Sequence, residues 1–119
     1  MASYMVLYKA PVRVLDEWMK ADEATRKAEE AKMQAEWGTW MAAHAGALKG
    51  TTAGLGKTKV VTSAGTTDTK NDLMLYSMVE AESPEAAAQM FAGHPHLSIP
   101  EASIEIMPVN PLPGMSGMQ

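Results

Sequence analysis

Two histidines separated by a proline are the residues of this chain with the clearest chemical potential. They are His94 and His96, within the segment AGHPHLSIP (92–100), and the chain has three histidines in all. An imidazole titrates near neutral pH, so a pair of them close to carboxylates would suit acid/base chemistry. The i, i+2 spacing could also supply half of a metal site, but no third ligand stands at a diagnostic spacing. We therefore predict no metal ion and no tightly bound cofactor.

The same segment also has a purely structural interpretation. Gly93 suits the residue just past a helix end, and Pro95 prevents the helix from continuing. On this interpretation His94 and His96 are solvated turn residues with no chemical role. The segment alone does not decide between the two.

The composition is that of a single globular domain, and it excludes several kinds of partner and chemistry. The chain has 119 residues, 46% hydrophobic and 20% charged, and a formal net charge of -4. The negative charge argues against a nucleic-acid partner, which needs a dense cationic face. The absence of cysteine excludes disulfides and thiolate chemistry. The chain has neither a signal-peptide pattern nor a long apolar span, so we predict a cytoplasmic protein without a membrane partner.

Two segments predict strands that are covered on both faces. Tyr4–Tyr8 and Leu73–Glu80 are apolar at successive positions, which is typical of strands buried on both sides. Two further segments, Thr58–Ser63 and Ala102–Met107, also predict strands. Leu48–Lys57 is rich in glycine and threonine and gives no clear signal, and Ala64–Asp72 has the composition of a turn.

Two helices are predicted between these strands. The longer one runs from Glu23 to Ala45, with Asp16 and Asp22 as alternative caps before it. The shorter one follows Ser83-Pro84-Glu85, a strong start signal, and runs to about Ala92. The resulting order, β-α-β-β-α-β, predicts an α+β fold of the ferredoxin-like type over residues 1–109.

The first and third strands are central in that topology, and they are the two segments apolar on both faces. Helices can cover one face of the sheet only, so we predict a homodimer packed through the other sheet face. The tail, residues 110–119, is rich in proline and methionine. We expect it to pack on the domain or the dimer partner through Leu112 and Met115.

The same topology predicts which residues lie near the histidines. It places His94 and His96 at one rim of the sheet with Asp16, Trp18 and Asp72, and it places His44 at the opposite rim. In the catalytic hypothesis, His94 moves a proton, Asp16 or Asp72 orients its imidazole, and His96 assists. The candidate ligand-binding residues for a small organic molecule are Trp18, Trp37, Trp40, His44 and Met78. Trp37, Trp40 and His44 share a helical face, so they are equally interpreted as part of the core.

Several motifs together resemble one family. The opening strand MVLYK, the segment YSMVEAESPEAA (76–87), GHPHL (93–97) and ASIEIMPV with PLPGM near the end are similar to YCII-related proteins. The match is closest to a bacterial subgroup with a His-Pro-His segment. The resemblance implies a dimeric α+β barrel, and a suspected enzyme with a His/Asp pair in a pocket between helices and sheet. The histidine would be His94 or His96. Some members carry Asp-Gly-Pro-Phe where this chain reads TDTKND (67–72), so the aspartate would be Asp68 or Asp72, or the pair is absent.

Three functions are compatible with these residues. The first is a small-molecule enzyme in which His94 assists proton transfer during an elimination, isomerisation or hydrolysis. The second is a non-catalytic dimeric protein that binds a ligand or acts as an accessory subunit. The third is a cofactor-free monooxygenase, which would need a large pocket close to Trp40 and His44.

Overall fold

The structure is a computed structural model, and it describes residues 1–113. This part of the chain contains six strands and three helices. Their bounds in chain order are β1 Ala2–Lys9, α1 Val12–Met19, α2 Glu23–Ala43, β2 Leu48–Gly54, β3 Thr58–Thr62, β4 Gly65–Thr69, β5 Leu73–Ala81, α3 Pro84–Met90 and β6 Ser103–Pro108. A short 3-10 turn, Pro95–Ser98, lies between α3 and β6. The chain is therefore a mixed α+β protein. Within residues 1–113, no helix is long and apolar enough to cross a membrane.

Four strands form the main sheet, in the order β2-β5-β1-β6, and each neighbouring pair is antiparallel. The two central strands, β5 and β1, are the segments that the sequence predicted to be covered on both faces. Val6 in the middle of β1 faces Ser77 on one side and Ile106 on the other. The sheet thus joins the beginning of the chain to its end and to residues about 70 positions away.

One face of the sheet carries the hydrophobic core. Tyr4, Val6 and Tyr8 alternate along β1 and are buried, as is Val79 on β5. They pack with Phe91, at the end of α3, and with two tryptophans of α2. The burial of alternate side chains follows from the two-residue period of a strand.

The other face of the sheet is also apolar but only half-buried. Its central side chains are Met5, Leu7, Tyr76, Met78 and Met107. We call these five residues the open face. In this single chain, no element among residues 1–113 fully covers these five side chains.

The second strand of the main sheet is not the predicted one. Thr58–Ser63 was expected in the sheet, but β3 pairs only with β4 in a separate two-stranded hairpin. The sheet strand is β2, in the glycine- and threonine-rich segment that gave no signal. Its pairing with β5 is interrupted between Lys49 and Ala53, where Gly50 has a φ of +70°. This bulge breaks the alternating pattern by which a strand is recognised in sequence.

The hairpin also corrects the prediction of a turn over Ala64–Asp72. Gly65–Thr69 forms β4, and all of its residues are exposed. A strand exposed on both faces needs no apolar alternation, so its composition is that of a loop.

The helix ends follow local signals, with one exception. The Asp22 carboxylate accepts a hydrogen bond from the Thr25 backbone N–H at 2.7 Å, which confirms it as the cap of α2. Ser83 caps α3 in the same way, accepting from the Ala86 N–H at 3.0 Å. Asp16 is not a cap, because it lies inside α1, which begins just after Pro11. Pro11 occupies the N-cap position, and α1 has no side-chain cap.

The end of α3 has the predicted geometry. Gly93 has a φ of +73°, a conformation that glycine adopts without strain, and Pro95 opens the 3-10 turn. After β6, the Val109 N–H donates to the Ser3 carbonyl at 3.0 Å, which holds the end of the domain beside β1. Leu112 is exposed in this single chain. The predicted packing of Met115 lies outside the described residues.

Candidate functional site

His94 and His96 lie in the interior of the protein. Each side chain is 1% exposed, so the interpretation of both as solvated turn residues is wrong. The positive φ of Gly93 turns the chain back after α3, and the 3-10 turn that follows brings both rings against Tyr8 of β1 and the His94 ring against α2. A segment whose sequence resembles that of an ordinary turn therefore places two imidazoles in the core.

The His94 ring is surrounded by aromatic side chains. Its centroid lies 4.5 Å from those of both Trp37 and Trp40, and each indole stands edge-to-face with it. Tyr8 and Phe91 complete the surroundings at 5.4 and 5.7 Å. We call these five residues the aromatic cluster. Such edge-to-face contacts are the favoured arrangement of aromatic pairs.

The hydrogen bonds of His94 define its protonation. Its Nδ1 accepts from the His96 backbone N–H at 3.0 Å, so in the neutral ring the proton is on Nε2. That Nε2 is buried and has no hydrogen-bond partner among residues 1–113. Burial, followed by the charges of His96 and His44, lowers the pKa of His94 to about 4. At neutral pH, His94 is therefore a neutral hydrogen-bond donor with an unused N–H.

His96 has a different position and different partners. Its Nε2 donates to the Lys9 carbonyl at 2.9 Å, which ties the 3-10 turn to the end of β1. Burial lowers the pKa of His96, although backbone hydrogen bonds at Lys9 and Ser103 oppose the shift. Its ring also stands edge-to-face with Tyr8 at 5.5 Å. By fixing the 3-10 turn, the His96 ring also positions its own backbone N–H, which donates to Nδ1 of His94.

A chain of three hydroxyl groups reaches the aromatic cluster from the sheet. The Tyr8 phenol lies 2.9 Å from the Ser77 hydroxyl, which lies 2.7 Å from the Thr52 hydroxyl. Burial raises the pKa of Tyr8, so the phenol is protonated at neutral pH. The bulge in β2 places Thr52 opposite Ser77, as bulges re-aim side chains. None of these three was predicted as a site residue; the one available signal is Ser77, a lone hydroxyl inside an apolar strand.

The predicted aspartates do not meet the imidazoles. Asp16 lies 3.6 Å from the Lys70 ammonium, and Asp72 lies 3.4 Å from that of Lys9. The backbone N–H of His96 takes the orienting role that we had expected of a carboxylate. The physical reason is the alternation of β1: Tyr8 points toward the helices, so the next side chain, that of Lys9, points to the other face of the sheet.

The predicted ligand-binding residues occupy three separate places. Trp37 and Trp40 belong to the aromatic cluster, and Met78 belongs to the open face. His44 stacks on Trp40 at 4.2 Å, so Trp40 contacts His44 on one side and His94 on another, although opposite rims were expected for the two histidines. Trp18 lies apart from all of them, and its indole N–H donates to Glu29 at 2.9 Å.

Trp18 borders a cleft of about 810 Å³ between α1, α2 and the segment before β6. Its lining includes Ala10, Val14, Trp18, Met33, Ser98 and Ile99. The cleft and the aromatic cluster are close along the chain: Met33 of the cleft lining precedes Trp37 by one helical turn, and Ser98 follows His96 by two residues. A volume of this size suits a small organic ligand.

Metal binding finds no support in the described residues. No group of three or more His, Asp or Glu side chains among residues 1–113 is arranged to hold a metal ion. His94 Nδ1 and His96 Nε2 are both engaged by backbone groups. The aromatic cluster and the cleft are thus the two features of the site that could act on an organic molecule.

Comparison with models of known protein families gives no match, and comparison with curated proteins gives none either.

Proposed function

We propose that this chain is a YCII-related protein with the ferredoxin-like strand order, and that two copies pair through their open faces into a dimeric α+β barrel. The motifs GHPHL and PLPGM carry the resemblance. The sheet order β2-β5-β1-β6, with the first and third sheet strands in the centre, supports the topology. The half-buried methionines and Tyr76 on the open face support the pairing, because a contiguous apolar surface of this kind marks an interface.

We propose further that the protein is a small-molecule enzyme in which neutral His94 donates a hydrogen bond to an oxygen atom of the substrate. The observation that carries this is the buried His94 Nε2–H without a partner. Buried polar groups are nearly always hydrogen-bonded, so an unused donor calls for an acceptor that arrives later. The aromatic rings around His94 could offer only weak acceptors.

The depressed pKa of His94, about 4, decides what kind of chemistry this donor serves. A ring that stays neutral and holds its proton on Nε2 acts as an electrophile: it stabilises negative charge that develops on a carbonyl oxygen. Isomerisation or elimination next to a carbonyl develops such charge as an enolate. The proton on the substrate carbon would then go to another base, among the carboxylates of the cleft.

We propose that a substrate reaches His94 from the cleft, whose lining residue Met33 lies one helical turn before Trp37. Trp37 packs on His94 at 4.5 Å, so its ring would have to move for a substrate oxygen to reach the buried Nε2. We expect a ligand in the cleft to displace this ring, as catalytic hydrogen bonds are often completed only in the substrate complex.

The proposal is tested by hydrogen exchange at carbon, which needs no knowledge of the natural substrate. A panel of small ketones and keto acids is incubated with the protein in D₂O, and loss of the α-proton is followed by NMR. We expect exchange with at least one compound, and a loss of about a hundredfold in His94→Phe, as for removal of one oxyanion donor. His94→Gln, whose amide N–H can take the place of Nε2–H, should recover part of the rate. Exchange that is no faster than in buffer across the panel, or that survives in His94→Phe, would refute the proposal.

A second function, a non-catalytic ligand-binding protein, is favoured by the closed packing of the aromatic cluster. The rings of Trp37 and Trp40 lie against His94 at 4.5 Å, as core residues do. On this proposal His94→Phe changes stability but not the binding of a ligand in the cleft. No comparable observation favours a monooxygenase, because Trp40 and His44 stack on each other where its substrate would lie.

A further inference from the structure

The cleft beside Trp18 has a marked charge imbalance. Five carboxylates line it, from Glu17, Glu29, Glu30, Glu36 and Glu101, against two cations, Arg13 and Lys32. The excess is three negative charges among the lining side chains, although Glu17 is paired with Lys20, which lies outside the lining. Such a surface attracts cations and repels anions, and its low-dielectric walls concentrate the effect.

Of the two cations, Arg13 is paired with a carboxylate, whereas Lys32 forms no ion pair within residues 1–113. Arg13 forms an ion pair with Glu101 across the mouth of the cleft, between α1 and the loop before β6. Glu101 has a φ of +61°, an uncommon conformation for a residue with a side chain. An anionic ligand would have to compete with Glu101 for Arg13. A cationic ligand has no such competitor at Glu30 and Glu36. Neither carboxylate forms an ion pair within residues 1–113, so both are free to bind it.

The walls between these charges are apolar. They are formed by Val14, Trp18, Met33, Met74, Ile99 and Pro100. The indole of Trp18 is held in place by its N–H bond to Glu29, which leaves its π face available to a ligand. An indole face is the best side-chain partner for a cation, so Trp18 adds to the attraction of the carboxylates.

We propose that the cleft selects small organic cations, namely an aryl or alkyl body that carries an ammonium group. The body packs against Met33, Ile99 and Trp18, and the ammonium lies toward Glu30 and Glu36. This inference rests on the small-molecule-binding function proposed above and adds the charge of its ligand. It does not depend on the chemistry assigned to His94.

Three probes with one body and different charges test the selection: 3-phenylpropylamine, 3-phenylpropan-1-ol and 3-phenylpropanoate. Each is titrated into the full-length protein while the indole N–H resonance of Trp18, assigned from Trp18→Phe, is followed by NMR. We expect the amine to bind about five- to tenfold more tightly than the alcohol, which corresponds to one or two charge contacts near water. The carboxylate should bind most weakly.

Variants then separate charge from shape. Glu30→Gln/Glu36→Gln should bring the amine close to the alcohol, while Glu29 is kept because it holds Trp18. Asp68→Asn, in the hairpin far from the cleft lining, is the matched control and should leave the order of the three probes unchanged. Equal affinities for the three probes, or tighter binding of the carboxylate, would overturn the inference.

The outcomes also separate this inference from the proposed function. Carbon exchange that depends on His94, without a preference for the amine, refutes the charge selection alone. A clear preference for the amine, without any carbon exchange, supports the cleft as a cation site and refutes the chemistry proposed for His94.

Discussion

The backbone N–H of His96 donates to Nδ1 of His94 at 3.0 Å, and this one bond sets the tautomer of a buried imidazole. Histidines in catalytic sites are commonly oriented by a carboxylate, which raises their basicity. A backbone N–H has the opposite effect, because it can bind only the unprotonated nitrogen. The bond and the burial therefore act together to keep His94 neutral, with its proton on the buried Nε2.

The first prediction concerns pH. The pKa of His94 is about 4 in the folded protein and near 6.5 when unfolded, so the unfolded chain binds one more proton between these values. Stability should therefore fall as the pH is lowered from about 7 to 4, by on the order of 3 kcal/mol from His94. Burial lowers the pKa of His96 too, which acts in the same direction. Urea unfolding at a series of pH values measures the loss.

The control for this prediction is His94→Phe, which keeps a ring but cannot take up a proton. Its stability should depend less on pH across the same range, although carboxylates titrate in both proteins near pH 4. Parallel curves for the two proteins would show that His94 does not carry the effect.

The second prediction concerns the hydroxyl chain of Tyr8, Ser77 and Thr52. Ser77→Ala leaves two hydroxyls without their partner, one of them on buried Tyr8, and should cost about 1 to 3 kcal/mol of unfolding free energy. A cycle with Tyr8→Phe should give a coupling energy of about 1 kcal/mol, as for groups in one network. Additive effects of the two substitutions would mean that the hydroxyls do not interact.

The third prediction follows from the separation of the aspartates from the imidazoles. Asp16 and Asp72 form exposed or half-exposed ion pairs, which contribute less than about 1 kcal/mol. Asp16→Asn and Asp72→Asn should therefore change stability little and leave the carbon exchange at the wild-type rate. A loss of exchange as large as in His94→Phe would contradict this prediction and would support the carboxylate–imidazole pair expected from the sequence.

The fourth prediction compares two aspartates that both resemble helix caps in the sequence. Asp22→Ala removes the carboxylate that binds the Thr25 N–H and should cost about 1 kcal/mol, or roughly 4 °C in Tm. Asp16→Ala, inside α1, is the matched control and should change Tm by much less. Thermal unfolding followed by circular dichroism measures both, and equal shifts would contradict the assignment of Asp22 as the cap.

The fifth prediction tests the proposed pairing of two copies. Light scattering should give a dimer at micromolar concentration, and Met78→Lys, in the centre of the open face, should give a monomer because it buries a charge. Val61→Lys, at an exposed apolar position of the hairpin, is the control and should remain dimeric. A monomeric wild-type protein would rule out the pairing.

The sequence by itself determined the features that depend on a few neighbouring residues. Asp22, Ser83 and Gly93 mark helix ends through contacts within three residues, so their chemistry is readable in place. The central positions of β1 and β5 could also be predicted, because the strands in the middle of a sheet have the most fully covered faces and are therefore apolar on both.

The tertiary structure alone decided which residues meet. The edge strand β2 escaped prediction because a bulge breaks its pattern, and the bulge is formed by pairing with β5, more than 20 residues away. The histidine segment has the local sequence of a solvated turn, yet contacts with Tyr8, Trp37 and Trp40 place it in the core. Asp72 and the imidazoles share a rim in the topology, but the pleat of β1 sends their partners to opposite faces. A local pattern specifies where a helix or strand begins and ends. The face of the sheet that a distant side chain reaches depends on packing across the whole domain.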